Sequence, residues 1–597
     1  MQEIRKCMPF RFAAMGIFSL AACLGTCNAQ TPAAGLALAD LPVVRPVMEC
    51  AQLRGMDLSV MAGVPMAVSA AEVKEDGPAP YCDVHGYVSP QVDFEAHLPT
   101  TNWTQRYVQN GCGGLCGTTG VPRAGGDENG PSQRGELAVA TTGAGHVGGD
   151  GVWAAEDPEL RIDFAYRAVH VTSLAAKALI EKYYGQKPKF SYFIGSSEGG
   201  REAAMEAQRF PEDFNGISCG SPALNFITQN TFYHAWNAVH NSNDSGHAIL
   251  TPEKLPILHA AAMAACDGLD GLKDGIIADP RACHFDPVVV ECKPDQDPAT
   301  CLTAAQVNVA REVYQGAHDD KGMQVIISGP PPGSELSWTQ FVPANLDMTR
   351  AGGAVLANSL VKYMAFPKNP PLTFTLKDFH FDQATFKAIE PMHAIYDAVD
   401  PDLSKFAAAG GKIIMAHGWA DSAISPLNTV AYYNAMKSLM GEARVKQFSR
   451  LYMIPGRYHG AAGDTGPIGL DTLSPVMAWV EKGTAPDSLM TTYMAAAPGG
   501  GRGAGAGRGA GRGAAAAPAA PAAAPTVLRT RPVYPYPMVA HYKGSGSIDN
   551  ATNFEAAMPT TALPEKFNWM GNSFFSAHYE QWCGWSGMTF SCGSERK

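Results

Sequence analysis

The apolar run Phe190-Ser191-Tyr192-Phe193-Ile194 leads into Gly195-Ser196-Ser197-Glu198-Gly199 and then at once into the helical stretch Glu198 to Arg209. A strand that becomes a helix within two residues, with a serine at the bend, leaves few folds open. With the strand-like Phe214 to Cys219 that follows, it forms a βαβ unit, and such units imply parallel strands covered by helices. The rhythm extends in both directions. Upstream, Arg106 to Gln109 and Leu137 to Thr142 read as strands, and Leu160 to Tyr184 has apolar positions at helical spacing. Downstream it resumes with Lys412 to Ala416 as a strand, Thr429 to Leu439 as a helix and Phe448 to Ile454 as a strand. The expected class is α/β, with a mostly parallel sheet.

The bend itself fits G-x-S-x-G, the nucleophile elbow of the α/β-hydrolase fold. The turn strains the serine backbone, flanking glycines permit close packing, and Ser197 is presented at a helix N-terminus, where the dipole favours developing negative charge. A second match, Gly216-Ile217-Ser218-Cys219-Gly220, is followed by Ser221-Pro222 rather than by a helix, so Ser218 reads as mid-strand. In this fold the partners follow in the order acid, then histidine. Asp421 lies just past the strand Lys412 to Ala416, and His459 lies in the Gly-rich loop after Phe448 to Ile454. His417, entering the acid loop, reads either as a structural histidine or as a wall of the substrate pocket. An oxyanion hole needs two backbone N–H groups. Glu198 supplies one, and the loop Asn110-Gly111-Cys112-Gly113-Gly114 supplies the other, with Gly111 as first choice and Gly113 as second.

About 220 residues separate Ser197 from Asp421, more than the intervening strands and helices need. Residues 226–396, rich in Cys, Asp and Pro, break the alternation and read as an inserted lid domain roofing the site. The expected organisation is an export signal at 1–29, a catalytic domain in two parts (45–225 and 397–555) around that insertion, and a C-terminal extension at 556–597. Residues 498–525, almost entirely Gly, Ala, Pro and Arg, cannot bury a core and read as a solvated linker.

At the N-terminus, Arg5, Lys6 and Arg11 precede the apolar Phe12 to Leu20, as in an export signal. Two endings fit. Leu20-Ala21-Ala22-Cys23 resembles a lipobox that leaves a lipid anchor on Cys23, and Cys27-Asn28-Ala29 suits ordinary signal peptidase. Either places the protein outside the cytoplasm: secreted, periplasmic or an outer-membrane lipoprotein. Export makes disulfides available, and local spacing suggests Cys266–Cys283, Cys292–Cys301 and Cys583–Cys592, then Cys50–Cys82 and Cys112–Cys116, with Cys219 left as a buried thiol. No cysteine pair has zinc-finger spacing. The formal charge of -11 argues against nucleic acid as a partner, and past the signal no apolar run is long enough to cross a membrane.

Several blocks go beyond the bare elbow: Arg161-Ile162-Asp163-Phe164-Ala165-Tyr166-Arg167-Ala168-Val169-His170, Ser191 to Arg201, Gln208-Arg209-Phe210-Pro211, Arg529-Thr530-Arg531-Pro532 and Tyr542-Lys543-Gly544-Ser545-Gly546. Through these the chain, from roughly Cys50 to Asn553, resembles the tannase/feruloyl esterase family of α/β hydrolases. The resemblance implies a serine esterase acting on small aromatic or phenolic esters, whether free or polysaccharide-linked, with the triad Ser197, Asp421 and His459. Feruloyl esters come first, then gallate esters, then terephthalate mono-esters. It also implies a lid calcium (Ca2+) loop, with Asp267, Asp270 and Asp274 giving side chains and Leu272 and Ile276 giving carbonyls. Three carboxylates packed into one short loop suit a hard cation. One departure stands out: many family members clamp nucleophile and base with a disulfide whose positions are here Ser196 and Gly460. A non-catalytic calcium-binding surface protein on a dead hydrolase scaffold is the rival reading that this loss suggests.

Overall fold

Tyr192 and Phe193 are neighbours on one strand and both are fully buried, so that strand is covered on both faces, as central parallel strands are. In the computed structural model, which describes residues 37–121, 130–463, 466, 468–495, 526–559 and 566–593, this strand lies inside a nine-stranded sheet. The strands are β1 (Met66–Lys74), β2 (Tyr81–Val88), β3 (Val92–Pro99), β4 (Arg106–Asn110), β5 (Ala138–Thr142), β6 (Phe190–Ser196), β7 (Gly216–Gly220), β8 (Lys412–Gly418) and β9 (Ser449–Ile454). Their spatial order is β1-β2-β3-β5-β4-β6-β7-β8-β9. Strands β4 to β9 pair in parallel, and β1, β2 and β3 add an antiparallel edge. The export signal with Cys7, Cys23 and Cys27, and the stretch 498–525, lie outside the described residues.

Helices cover both faces. On one side Phe193 joins a cluster with Leu179, Phe214 and Ile217; on the other Tyr192 joins Val108, Ile414, Tyr452 and Trp479. The helix Glu198–Arg209 buries small residues, Gly199, Gly200, Ala203, Ala204 and Ala207. It therefore sits close to the sheet. The antiparallel edge was not foreseen. Core-facing Cys82, Val84, Phe94, Ala96 and Leu98 on β2 and β3 alternate with Asp83, His85, Asp93, Glu95 and His97, which hides these strands from a search for apolar runs.

No strand lies between Gly220 and Lys412. That stretch forms helices, among them Leu255–Cys266, Ala304–Gln315, Gly352–Tyr363 and Gln383–Tyr396, and builds an apolar cluster of its own around Leu258, Val307, Trp338 and Phe341. Across the undescribed 498–525, β11 (Leu489–Met494) pairs antiparallel with β12 (Val527–Val533) beside β10 (Ile468–Leu470). The C-terminal residues pack on the helix Gln383–Tyr396, with Phe574 stacked 3.6 Å from His393. All five expected disulfides are formed, and Cys219 is a buried thiol. Among the described residues no helix is long and apolar enough to cross a membrane.

Candidate active site

At the end of β6, Ser197 adopts φ 66°, ψ -119°, a left-handed backbone that a non-glycine residue holds only when its surroundings enforce it. Its N–H donates to Gly220 O at 3.0 Å and its carbonyl accepts from Arg201 N–H at 3.1 Å. Room for the bend comes from its neighbours. A β-carbon on Gly195 would lie 2.1 Å from Gly199 O, so only glycine fits there. The second motif behaves differently: Ser218 lies within β7 and its hydroxyl bonds to Thr472 Oγ1 at 2.6 Å.

The loops after β8 and β9 bring the other two residues in. His459 Nε2 lies 3.0 Å from Ser197 Oγ, and His459 Nδ1 lies 2.7 Å from Asp421 Oδ2. Asp421 is fully buried, and its Oδ1 accepts the N–H groups of Ala423 and Ile424 at 2.8 and 2.9 Å. Burial alone would raise this carboxyl. The facing charge of His459 and hydrogen bonds from His417 and His459 outweigh it and hold Asp421 far below the usual carboxylate range. Burial likewise depresses the His459 imidazole, but Asp421 reverses this and leaves it above its ordinary value. Ser196 and Gly460 flank this contact, which forms without a covalent clamp; Arg457 Nε holds the loop by donating to Gly460 O at 2.7 Å.

Two assignments are corrected. His417 is not a pocket wall: it is fully buried, its Nδ1 bonds to Thr429 Oγ1 at 2.7 Å and its Nε2 lies 3.3 Å from Asp421 Oδ2. It backs the carboxylate and has no face left for a substrate. Gly111 is not an oxyanion donor, because its N–H donates to Ile194 O at 2.9 Å, and the next N–H, of Cys112, donates to Glu202 Oε2 at 2.9 Å. Gly113 N–H and Gly114 N–H make no hydrogen bond among the described residues and are the loop's remaining donors. Glu198 N–H, at the first position of its helix, has no intrahelical partner. The Glu198 side chain points away from this task. It is buried against Arg201, and burial, partly offset by that arginine, pushes its carboxyl up to about 7.

Sequence reasoning missed the insertion's grip on the acid loop. Tyr233 OH donates to Ser422 O at 2.7 Å, Gln229 Nε2 donates to Ala423 O at 2.8 Å, and the hydroxyls of Ser337 and Ser328 meet those of Ser422 and Ser425 at 2.7 and 2.6 Å. His234, on the same segment, is buried near His459, and burial followed by that neighbour's charge pushes it down to about 4. Of the aromatic residues in the insertion, Trp338 and Phe341 are fully buried in its own core.

The acidic loop gathers oxygen donors of the kind calcium takes. Burial, then the charges of Asp274 and Asp267, raises the Asp270 carboxyl, and the Leu272 and Ile276 carbonyls accept no hydrogen bond among the described residues. Asp267 Oδ1 is turned to the backbone N–H groups of Asp274, Gly275 and Ile276, and Asp274 pairs with Arg531 at 2.7 Å. The three carboxylates do not all converge within 4.8 Å. The donor set fits a hard cation in chemistry and in number.

A serine on an elbow, an imidazole at 3.0 Å and a mostly parallel sheet wrapped in helices define an α/β hydrolase, here a carboxylic ester hydrolase. The chain belongs to the tannase and feruloyl esterase family, whose profile matches residues 77–557. It is 31% identical over 515 residues to an uncharacterized esterase of Xanthomonas campestris pv. campestris, covering 79% of this chain and 84% of that protein. It is 28% identical to the mono(2-hydroxyethyl) terephthalate hydrolase of Piscinibacter sakaiensis, covering 83% and 87%. The crystal structure of feruloyl esterase B from Aspergillus oryzae superposes with a TM-score of 0.65 at 25% identity, covering 89% of this chain and 99% of that one.

Proposed function

We propose that this chain is an exported serine esterase that cleaves esters of phenolic or aromatic carboxylic acids, feruloyl esters foremost, through Ser197, His459 and Asp421. The observation that carries the reading is the continuous relay from Ser197 Oγ through both nitrogens of His459 to a buried, ionised Asp421. Ser197 Oγ forms a bond to the ester carbonyl carbon as its proton passes to His459 Nε2. The oxyanion sits at Glu198 N–H and Gly113 N–H. His459 then protonates the departing alcohol, leaving the acyl group on Ser197. Water enters, gives its proton to His459 and displaces the acid, and Ser197 recovers its proton. Asp421 keeps Nδ1 protonated, so that Nε2 can act as the base.

The names of the relatives support feruloyl esters first. Gallate esters are the second reading and terephthalate mono-esters the third. Residues 226–396 act as the lid, and Asp267, Asp270 and Asp274 with the Leu272 and Ile276 carbonyls hold calcium as a structural tie. Five disulfides among the described residues support export. The test is turnover of p-nitrophenyl acetate and methyl ferulate by wild type and Ser197→Ala. The variant is expected to retain under ~0.1% of kcat. Undiminished turnover removes Ser197 as nucleophile.

A further inference from the structure

The antiparallel edge carries a cluster remote from the relay, with β5 and β4 lying between β3 and β6. On β2 and β3, Asp83 pairs opposite His97 and His85 opposite Glu95. Side chains alternate along a strand, so these four share one face, while Cys82, Val84, Phe94 and Leu98 bury the other. His85 Nε2 lies 3.3 Å from Asp83 Oδ1. His97 Nε2 lies 3.6 Å from the same oxygen and 2.8 Å from Glu95 Oε1. One donor atom from each of Asp83, Glu95 and His97 falls within 4.8 Å of the others.

Two further observations point to a missing ligand. Asp83 is only 8% exposed, and its Oδ1, the atom facing both imidazoles, is buried without a hydrogen bond. Its contacts are the two long ion pairs to the imidazoles, and a buried carboxylate oxygen held only by these has room for a closer cation. The imidazole is also held in place, since the Tyr81 ring stacks 4.1 Å from His97. Glu95 Oε1 additionally takes the Val121 N–H at 3.4 Å. Ligands about 2.0–2.1 Å from a tetrahedral ion stand roughly 3.4 Å apart, close to the 3.6 Å between His97 Nε2 and Asp83 Oδ1, while the 2.8 Å from His97 Nε2 to Glu95 Oε1 must open on binding. An imidazole with two carboxylates suits a borderline transition ion better than calcium.

We propose that Asp83, Glu95 and His97 bind a divalent transition-metal cation of the zinc type, which ties β2 to β3, with His85 beside them paired to Asp83. The site is separate from the acidic loop and from the relay. Full-length, disulfide-intact protein in excess calcium is titrated with zinc chloride by calorimetry, and visible absorption is recorded with cobalt(II). One equivalent binds the wild type, raises its melting midpoint and gives the intense absorption of tetrahedral cobalt. In His97→Gln and Asp83→Asn the affinity falls by ~10-fold or more and the cobalt bands are lost. Glu95→Gln, at a half-buried position, gives the same loss and keeps the test decisive if the more buried changes unfold the chain. No binding by the wild type, or unchanged affinity in Glu95→Gln, overturns the proposal. So does loss of the metal in His578→Ala alone, which would place it at Asp400, His578 and Glu580.

Discussion

Replacing Asp421 by asparagine tests the relay most sharply, because the surroundings dictate how the new amide must sit. Asp421 Oδ1 accepts two backbone N–H groups, from Ala423 and Ile424. An asparagine must place its carbonyl oxygen there, since an NH2 group would face two donors. Its NH2 then occupies the position of Oδ2, 2.7 Å from His459 Nδ1, and donates to it. The imidazole is forced into the tautomer with Nε2 protonated, which cannot take the Ser197 proton. The electrostatic loss adds to this. Two charges ~4 Å apart at an effective dielectric of ~20 interact by ~4 kcal/mol, and each ~1.4 kcal/mol is tenfold in rate. Asp421→Asn is therefore expected to lower kcat on methyl ferulate by ~10³–10⁴-fold with KM little changed. The assay is steady-state kinetics beside thermal melting, which reports whether the buried loop survives. A folded variant that loses less than ~10-fold in kcat would refute the reasoning.

Three other outcomes follow from the same geometry. Ester cleavage needs neutral His459, and Asp421 raises its pKa, so activity climbs with pH through a midpoint above the ordinary ~6.5; a kcat/KM profile with its acid limb at or below that value would contradict the assignment. Gly195→Ala drives a methyl to within 2.1 Å of Gly199 O and should cost more than ~3 kcal/mol in urea unfolding as well as displacing Ser197. A calcium chelator should lower the melting midpoint of the wild type, and Asp270→Asn, which removes one of the mutually repelling carboxylates, should shrink that response; an unchanged midpoint would count against calcium.

The relay was legible because each member sits at a local landmark, a strand end followed by glycine or by a helix, and such landmarks survive in one dimension. What escaped depended on partners far along the chain. Gly111 looked like an oxyanion donor because its loop is Gly-rich, but its N–H belongs to Ile194 through the β4–β6 register, which spacing does not encode. For His417 the sequence left a structural role and a pocket wall both open, and only the fold shows that the following helix closes over it through Thr429. Trp338 and Phe341 serve the insertion's own core, which is large enough to claim its aromatics. Strands β1 to β3 were missed because charged and polar residues interrupt their apolar runs, and among those residues are Asp83 and His97, which the pairing of β2 with β3 brings together.

Tyr233, Gln229, Ser328 and Ser337 all come from the segment between β7 and β8, yet each holds the turn that carries Asp421. The inserted segment and the proton relay thus share one scaffold. Exchanging this segment for a relative's would loosen the carboxylate as well, and the chimaeras would lose turnover number. Point changes within the segment that keep those four anchors in place avoid that loss.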